Sequence, residues 1–179
     1  MLIHSAHHLT YLGRNLEINF PSEIPTDSAI LVLTKSMEIP FSLKEKTRIT
    51  SDEIAKSMGI RKFIKFSEKT SVKVGSFDIK MAETAEDKSK FNLFINEKIY
   101  FMTFLPEIHI PFAENTTLLI PADSKYFSEN DLPEIKNFIA KKHPKRTIMS
   151  GNYSEKWLLS FKNRKNIEVL NEISQQSMF

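Results

Sequence analysis

Histidines are concentrated at the start of the chain, where His4, His7 and His8 lie close together. On a helix, spacings of three and four residues would place imidazoles on one face, where they could chelate a metal ion. This stretch instead leads into a strand pattern, in which His7 and His8 point to opposite faces. We therefore expect these histidines to lie on the surface or in a disordered N-terminus rather than to bind a metal.

Acid–base chemistry would need carboxylates and a histidine elsewhere in the chain. Glu107-Ile108-His109 lies in an irregular stretch between two prolines, where a carboxylate and an imidazole could transfer a proton. A hydrogen-bonded loop histidine is the favoured interpretation of His109. Asp123 follows a buried-type strand, at an edge where open sheets usually carry functional residues, but it also fits a turn, which we favour. A hydrolase that works without a metal would use Glu38, Glu83 or Asp123.

A basic patch lies at the C-terminal end of the strongest predicted helix and consists of Lys141, Lys142, Lys145 and Arg146. Positive charge at this position complements the helix dipole, which accounts for part of the patch. Surfaces that bind nucleic acid usually add interleaved aromatic residues or a recognised motif, and the patch has neither. The sequence therefore predicts only weak, sequence-independent binding of nucleic acid that is lost near physiological ionic strength.

The strands that must position these residues follow from two patterns. Continuous apolar runs over 29–33 and 117–120 predict strands that are covered on both faces. Alternation and β-forming residues predict the remaining strands over 8–12, 16–20, 63–66, 71–74, 77–82, 91–95, 99–104 and 146–150.

Three helices are predicted from capping residues and apolar stripes. A capping box over Thr50–Glu53 begins the first, and Gly59 ends it. The second runs from Ser128 to about Lys142, and Ser154 caps the third. Two strand-rich halves, each followed by helical patterns, predict two facing sheets with helices on their outer faces.

Composition limits the class of protein. A chain of 179 residues with 41% hydrophobic residues is long enough for one good core, so we expect a single domain over 1–179. It has no glycine-rich phosphate-binding motif and no cysteine, which excludes disulfides and thiolate metal sites and is typical of a cytoplasmic protein. A net charge of +3 is too small to indicate nucleic acid, and no apolar run is long enough to span a membrane.

The order of these elements resembles the metallo-β-lactamase superfamily, in particular its small metal-dependent hydrolases. The likeness lies in pattern and covers most of the chain. Residues 27–34 resemble the strand before the family's THxHxDH loop, and residues 49–82 resemble the helix, hairpin and strand that follow it. Residues 91–104 resemble the hairpin before the GD turn, and residues 117–150 the late strand–helix–strand unit. The resemblance implies a four-layer αββα sandwich of mixed α/β (α+β or α/β) class.

The resemblance also shows which residues stand at the family's metal-ligand positions. Against THxHxDH, the chain has Lys35, Met37 and Pro40 at the histidines and Ile39 at the aspartate, and only Thr34 is kept. The positions of the next histidine, the bridging aspartate and the last histidine fall on Thr84 (or Glu83 beside it), Phe104 and Gly151.

These replacements cannot rebuild a catalytic zinc site. Zinc needs three imidazole or carboxylate ligands and an open water position, whereas lysine is a cation at neutral pH and Ile39 and Pro40 offer no lone pair. We therefore expect no metal and no other cofactor.

The first functional hypothesis is a non-catalytic homologue that binds an unidentified protein or small molecule. The alternatives are a hydrolase with residual or metal-independent activity and a weak nucleic-acid-binding domain. The apolar replacements Met37, Ile39, Pro40 and Phe104 have either collapsed into the core or form a contact surface, for which a symmetric homodimer is the simplest cover.

Overall fold

In the computed structural model the chain forms two mixed β-sheets and few helices. The structure describes residues 1–12, 14–19, 29–37, 47–68, 70–106, 110–163 and 165–170. Within these ranges no helix is long and apolar enough to cross a membrane.

The first sheet has six strands that are neighbours in the order of the chain. The first three strands pair antiparallel, and the third to the sixth pair parallel. They are β1 (Leu2–Ser5), β2 (His8–Tyr11), β3 (Arg14–Ile18), β4 (Ala29–Val32), β5 (Thr47–Thr50) and β6 (Ile64–Lys65).

The second sheet has seven strands, again neighbours in chain order. Its first four strands pair antiparallel and its last four pair parallel. They are β7 (Ser71–Val74), β8 (Phe77–Thr84), β9 (Phe91–Ile95), β10 (Ile99–Phe101), β11 (Thr117–Pro121), β12 (Arg146–Ser150) and β13 (Ile167–Val169).

Within the described ranges, three α-helices accompany the sheets: α1 (Asp52–Ser57), α2 (Leu132–Lys142) and α3 (Ser154–Ser160). The cap of α1 is Ser51, whose hydroxyl accepts from the Ile54 N–H at 3.3 Å, and not Thr50 as predicted. The Thr50 hydroxyl instead donates to the Leu33 carbonyl at 2.8 Å. Ser154 is the first residue of α3 rather than its cap, and its hydroxyl donates to the Gly151 carbonyl at 2.7 Å.

The two sheets share an apolar core. One buried cluster contains residues of both sheets, among them Leu16, Leu31, Leu93 and Phe101. A second cluster joins the opposite side of the second sheet to Ile135 of α2, Trp157 of α3 and their neighbours. Since successive strand residues point to opposite faces, Phe101 belongs to the first cluster and the adjacent Tyr100 to the second.

Further corrections concern the strands, of which β1, β5 and β13 were not predicted. The start of the chain, which contains β1, was expected to lie at the surface or to be disordered. Strand β10 ends at Phe101 and not at residue 104. Beyond Phe101, the Thr103 N–H donates to the Asn92 side-chain Oδ1 at 2.7 Å instead of to a backbone carbonyl of a neighbouring strand.

Replacing Trp157 by alanine should destabilise the protein by about 3–5 kcal/mol, because the side chain is only 1% exposed and leaves a cavity beneath α3. Its ring lies 6.2 Å from that of Phe127 and 5.6 Å from that of Tyr153. Leu159→Ala on the same helix is the matched control, since Leu159 is 68% exposed and should cost less than about 1 kcal/mol. Urea unfolding followed by far-UV circular dichroism measures both, and equal small losses would contradict the packing of α3.

Candidate functional site

Strands of both sheets end at one edge of the molecule, and the residues around these ends are in contact across the sheets. The Ala6 N–H, in the turn between β1 and β2, donates to the Ser150 hydroxyl at the end of β12 at 2.9 Å. The Asn19 side chain, just after β3, donates to the Tyr126 hydroxyl, beyond β11, at 2.6 Å. We call the polar residues at this edge the strand-end site: His7, Asn19, Thr34, Lys35, Lys90, Asp123 and Tyr126.

Asn19 joins the two sheets at this edge. Its Nδ2 also donates to the Thr34 hydroxyl at 2.7 Å, and its Oδ1 accepts from the Thr34 N–H at 2.7 Å. Asn19 and Thr34 are fully buried. The backbone of Asn19 is left-handed, with φ of 63°, a conformation that asparagine adopts more readily than most residues. This carboxamide therefore fixes the ends of β3 and β4 relative to Tyr126.

His7 packs beside Tyr126 at the centre of the site. Its ring lies 5.4 Å from that of Tyr126 and 5.8 Å from that of Phe101. Its Nδ1–H donates to the Ile18 carbonyl at 2.9 Å, which sets the tautomer because a carbonyl can only accept. Burial lowers the pKa of His7 to about 4; the bond to Ile18 opposes this, and the charges of Lys125 and Lys35 add to it. The imidazole is therefore neutral at physiological pH.

The expectation that His7 would be at the surface or disordered is thus wrong. His7 is only 5% exposed, because the turn between β1 and β2 packs against Phe101 of the second sheet and against Tyr126, in the turn after β11. His8 lies in β2 and its ring is 5.2 Å from that of His4, whose Nε2 is 3.0 Å from the Thr10 hydroxyl oxygen.

Lys35 covers the face of Tyr126. Its Nζ lies 4.4 Å from the ring centroid and donates to the Lys125 carbonyl oxygen, and its backbone forms an isolated bridge with Lys90. Burial lowers the pKa of the Lys35 ammonium; Asp123 opposes this, and Lys90 and Lys125 lower the pKa further. Lys35 is therefore a half-buried cation with more positive than negative charge around it.

Asp123 forms the turn that the sequence favoured. Its Oδ1 accepts from the Lys125 N–H at 2.7 Å, and its backbone carbonyl accepts from the N–H groups of Tyr126 and Phe127, both at 3.0 Å. The chain at the end of β12 approaches this turn closely. A Cβ added to Gly151 would lie 2.8 Å from the Ala122 carbonyl oxygen and 3.1 Å from the Asp123 Cβ.

Of the other positions that the resemblance assigned to the metal site, those within the described residues lie along the same edge. Thr84 is in register with Phe91, whose N–H donates to the Thr34 carbonyl at 2.9 Å. The Phe104 ring centroid is 5.6 Å from the Lys90 Nζ. Met37 is partly buried against the core between the sheets, as the collapsed-pocket alternative requires. Glu38, Ile39, Pro40 and His109 lie outside the described residues.

Glu83 belongs to a different environment. It is 5% exposed and in register with Asn92. Burial raises the pKa of Tyr100, and the negative charge of Glu83 raises it further. Tyr100 is in the cluster covered by α2 and α3, on the opposite face of the sheet from Phe101. The structure therefore does not bring Glu83 into the group formed by Lys35, Asp123 and Tyr126.

Two cations of the basic patch are held by the protein itself. Arg146 forms a bidentate ion pair with Glu168, with one N–O distance of 2.6 Å. The Lys142 Nζ donates to the Ile110 carbonyl and lies 5.8 Å from the Phe112 ring and 5.9 Å from the Phe138 ring. Lys141 and Lys145 remain exposed, so only part of the patch faces solvent as free positive charge.

The donor set of the strand-end site does not fit a metal ion. In the described part of the chain, no three histidine or carboxylate side chains are grouped so that they could hold one. At the site itself, His7 uses Nδ1 in a hydrogen bond and Lys35 brings a positive charge. A divalent cation would be repelled by Lys35 and would find too few ligands.

Comparison of the chain with protein-family models and with curated proteins gives no match.

Lowering the pH from about 6.5 to about 4 should reduce the free energy of unfolding through His7. The folded-state pKa of about 4 lies below the ordinary 6.5, so the unfolded state takes up the proton first. The stability that His7 contributes is complete above pH 6.5 and falls by up to about 3 kcal/mol as the pH drops to 4. Urea unfolding at a series of pH values measures this slope.

His7→Gln should flatten the slope in that window, because glutamine does not titrate. His143→Gln is the control, since His143 is exposed and should leave the slope unchanged. An unchanged slope in His7→Gln would contradict the burial of a neutral imidazole at this edge.

Gly151→Ala should destabilise the protein by at least about 2 kcal/mol, because φ is 117° and the added Cβ meets backbone atoms of Ala122. Gly59→Ala is the matched control: φ is 65° there, but no atom lies within 4 Å of the added Cβ. The control should cost about 1–2 kcal/mol from the left-handed conformation alone. Thermal unfolding compares the two, and Gly151→Ala costing no more than Gly59→Ala would contradict the close approach of β12 to the Asp123 turn.

Proposed function

We propose that this chain is a non-catalytic relative of the metallo-β-lactamase superfamily that works as a binding module. Its strand-end site would hold a small oxyanion, such as a phosphate or a carboxylate group, where members of that superfamily hold metal. One observation carries the proposal: the half-buried ammonium of Lys35 lies over the Tyr126 ring, at a position where the family motif has a histidine.

The architecture supports the family part of the proposal. Two mixed sheets share an apolar core, and α2 and α3 pack on the far side of the second sheet. The resemblance adds a helical layer outside the first sheet; the remaining helix, α1, contributes Ile54 to the cluster that contains residues of both sheets. Thr34, Lys35, Thr84, Phe104 and Gly151, which the resemblance assigned to one site, lie at one edge.

The charges at this edge support an anionic ligand. Lys90 and Lys125 both lower the pKa of Lys35, and Asp123 is the carboxylate that opposes them. An ammonium that is partly removed from water and surrounded by like charge is stabilised when an anion binds next to it. Lys35 uses one N–H in its bond to the Lys125 carbonyl, and an ammonium has three.

The same geometry supports binding over hydrolysis. A general base must be able to reach the water that it activates. Asp123 Oδ1 accepts from a backbone N–H of its own turn, and His7 Nδ1–H is bonded to Ile18. Asp123 and His7 thus each use one polar atom to hold the edge together, and burial makes His7 a weak base with a pKa of about 4. Lys35 would supply the charge that meets the ligand.

Lys35→Met should weaken the binding of inorganic phosphate at least tenfold, or about 1.4 kcal/mol, since it removes the central cation but keeps the apolar stem. In the unmodified protein, phosphate should also raise the pKa of the Lys35 ammonium. Amide NMR shifts during a phosphate titration measure the affinity, and ammonium resonances measure the pKa. Lys73→Met, an exposed lysine on β7, is the matched control and should leave the affinity unchanged.

Three results would overturn the proposal. One is phosphate binding that Lys35→Met leaves intact, and another is no binding at millimolar phosphate. The third is stoichiometric zinc, manganese or iron in protein purified without chelators, if that metal is lost when residues within 34–40 are mutated.

A further inference from the structure

A concave surface lies at the other end of β12, away from the strand-end site. It is a groove of about 590 Å³ between the C-terminal half of α2 and the segment that follows α3. Thr147, near the start of β12, lines it, whereas the strand-end site adjoins Ser150 at the end of that strand. A volume of this size is typical of pockets for small molecules.

The floor of the groove is apolar. It is formed by Ile139 and Ala140 of α2, by Pro144, by Phe161 at the end of α3, and by Ile167 of β13. Pro144 and Phe161 are buried, so this surface is continuous with the packed core beneath the helices.

The rim is cationic. Lys136, Lys162 and Lys165 line the groove together with His143, and no acidic side chain is among its described lining residues. Lys162 and Lys165 are exposed, so their ammonium groups are available to a ligand from solvent. An apolar floor below a rim of one sign of charge favours a molecule with an apolar body and an anionic end.

One wall of the groove is held in place by the protein. The Lys136 Nζ donates to the Ser160 carbonyl at 2.8 Å and lies 5.5 Å from the Phe161 ring centroid. These contacts join α2 to the end of α3. Lys136 therefore fixes the spacing of the two walls, while Lys162 and Lys165 supply charge.

We propose that this groove binds a free amphipathic monocarboxylate, with its hydrocarbon part on Ile139, Phe161 and Ile167 and its carboxylate at Lys162 and Lys165. The limited volume favours a small molecule over a macromolecule. Nucleic acid is disfavoured because the neighbouring Arg146 is already paired with Glu168.

The test is a calorimetric titration of the full chain with decanoate, and with 1-decanol as the neutral probe of equal chain length. Decanoate should bind at least tenfold more tightly than decanol, and its affinity should fall as salt is added. Lys162→Glu with Lys165→Glu should weaken decanoate binding at least tenfold. Lys56→Glu with Lys62→Glu, which makes the same change in net charge at exposed positions elsewhere, should leave it unchanged.

A second pair of variants tests the apolar floor. Ala140→Trp fills the groove from an exposed helix position and should abolish decanoate binding, whereas Ala113→Trp, at an exposed position outside the groove, should not. Equal affinity for decanoate and decanol, no binding of either, or binding that survives Ala140→Trp would overturn the proposal. So would binding to phosphatidylglycerol vesicles without binding of free decanoate. Lys35→Met should not affect decanoate binding, so failure here is distinguishable from failure at the strand-end site.

Discussion

The buried carboxamide of Asn19 is the interaction on which the strand-end site depends. A fully buried amide must satisfy its donors and its acceptor, and Asn19 does so with Thr34 and with the Tyr126 hydroxyl, in the turn after β11 of the other sheet. Thr34 is thereby fixed at the end of β4, so Lys35, the next residue, can reach the Tyr126 ring. Two further polar contacts join the sheets at this edge, from the Ala6 N–H to the Ser150 hydroxyl and from the Phe91 N–H to the Thr34 carbonyl. Such hydrogen bonds fix directions, which apolar contacts do not.

Lysine and a metal ion supply positive charge in chemically different ways. A metal ion offers open coordination positions and lowers the pKa of bound water, which is how it promotes hydrolysis. The ammonium of Lys35 offers N–H donors and cannot activate water in that manner. Its position over an aromatic ring also stabilises the charge, which offsets part of the cost of burial. An edge built this way is suited to holding an anion, which is the reason for proposing a binding module.

Local patterns predicted most of the strands and helices but few of the side chains in the site. The bounds of β7, β9 and β12 were predicted correctly, because alternation and turn residues are properties of short segments. Asn19 and Tyr126 were missed because their contact joins residues 107 positions apart, which no local pattern encodes. The misplacement of His7 has the same origin, since its burial depends on rings from the other sheet. The one signal that sequence could have offered is a polar residue closing an alternating strand, as Asn19 does.

Strand β12 connects the two proposed sites and also separates them. Its central residues Thr147, Ile148 and Met149 are buried, and it pairs in parallel with β11 on one side and β13 on the other. A strand held on both faces and along both edges cannot shift without breaking its ladder and its packing together. Coupling between distant sites requires an element with two discrete arrangements, and β12 offers no such alternative. The physical consequence is that the strand-end site and the groove should bind their ligands independently.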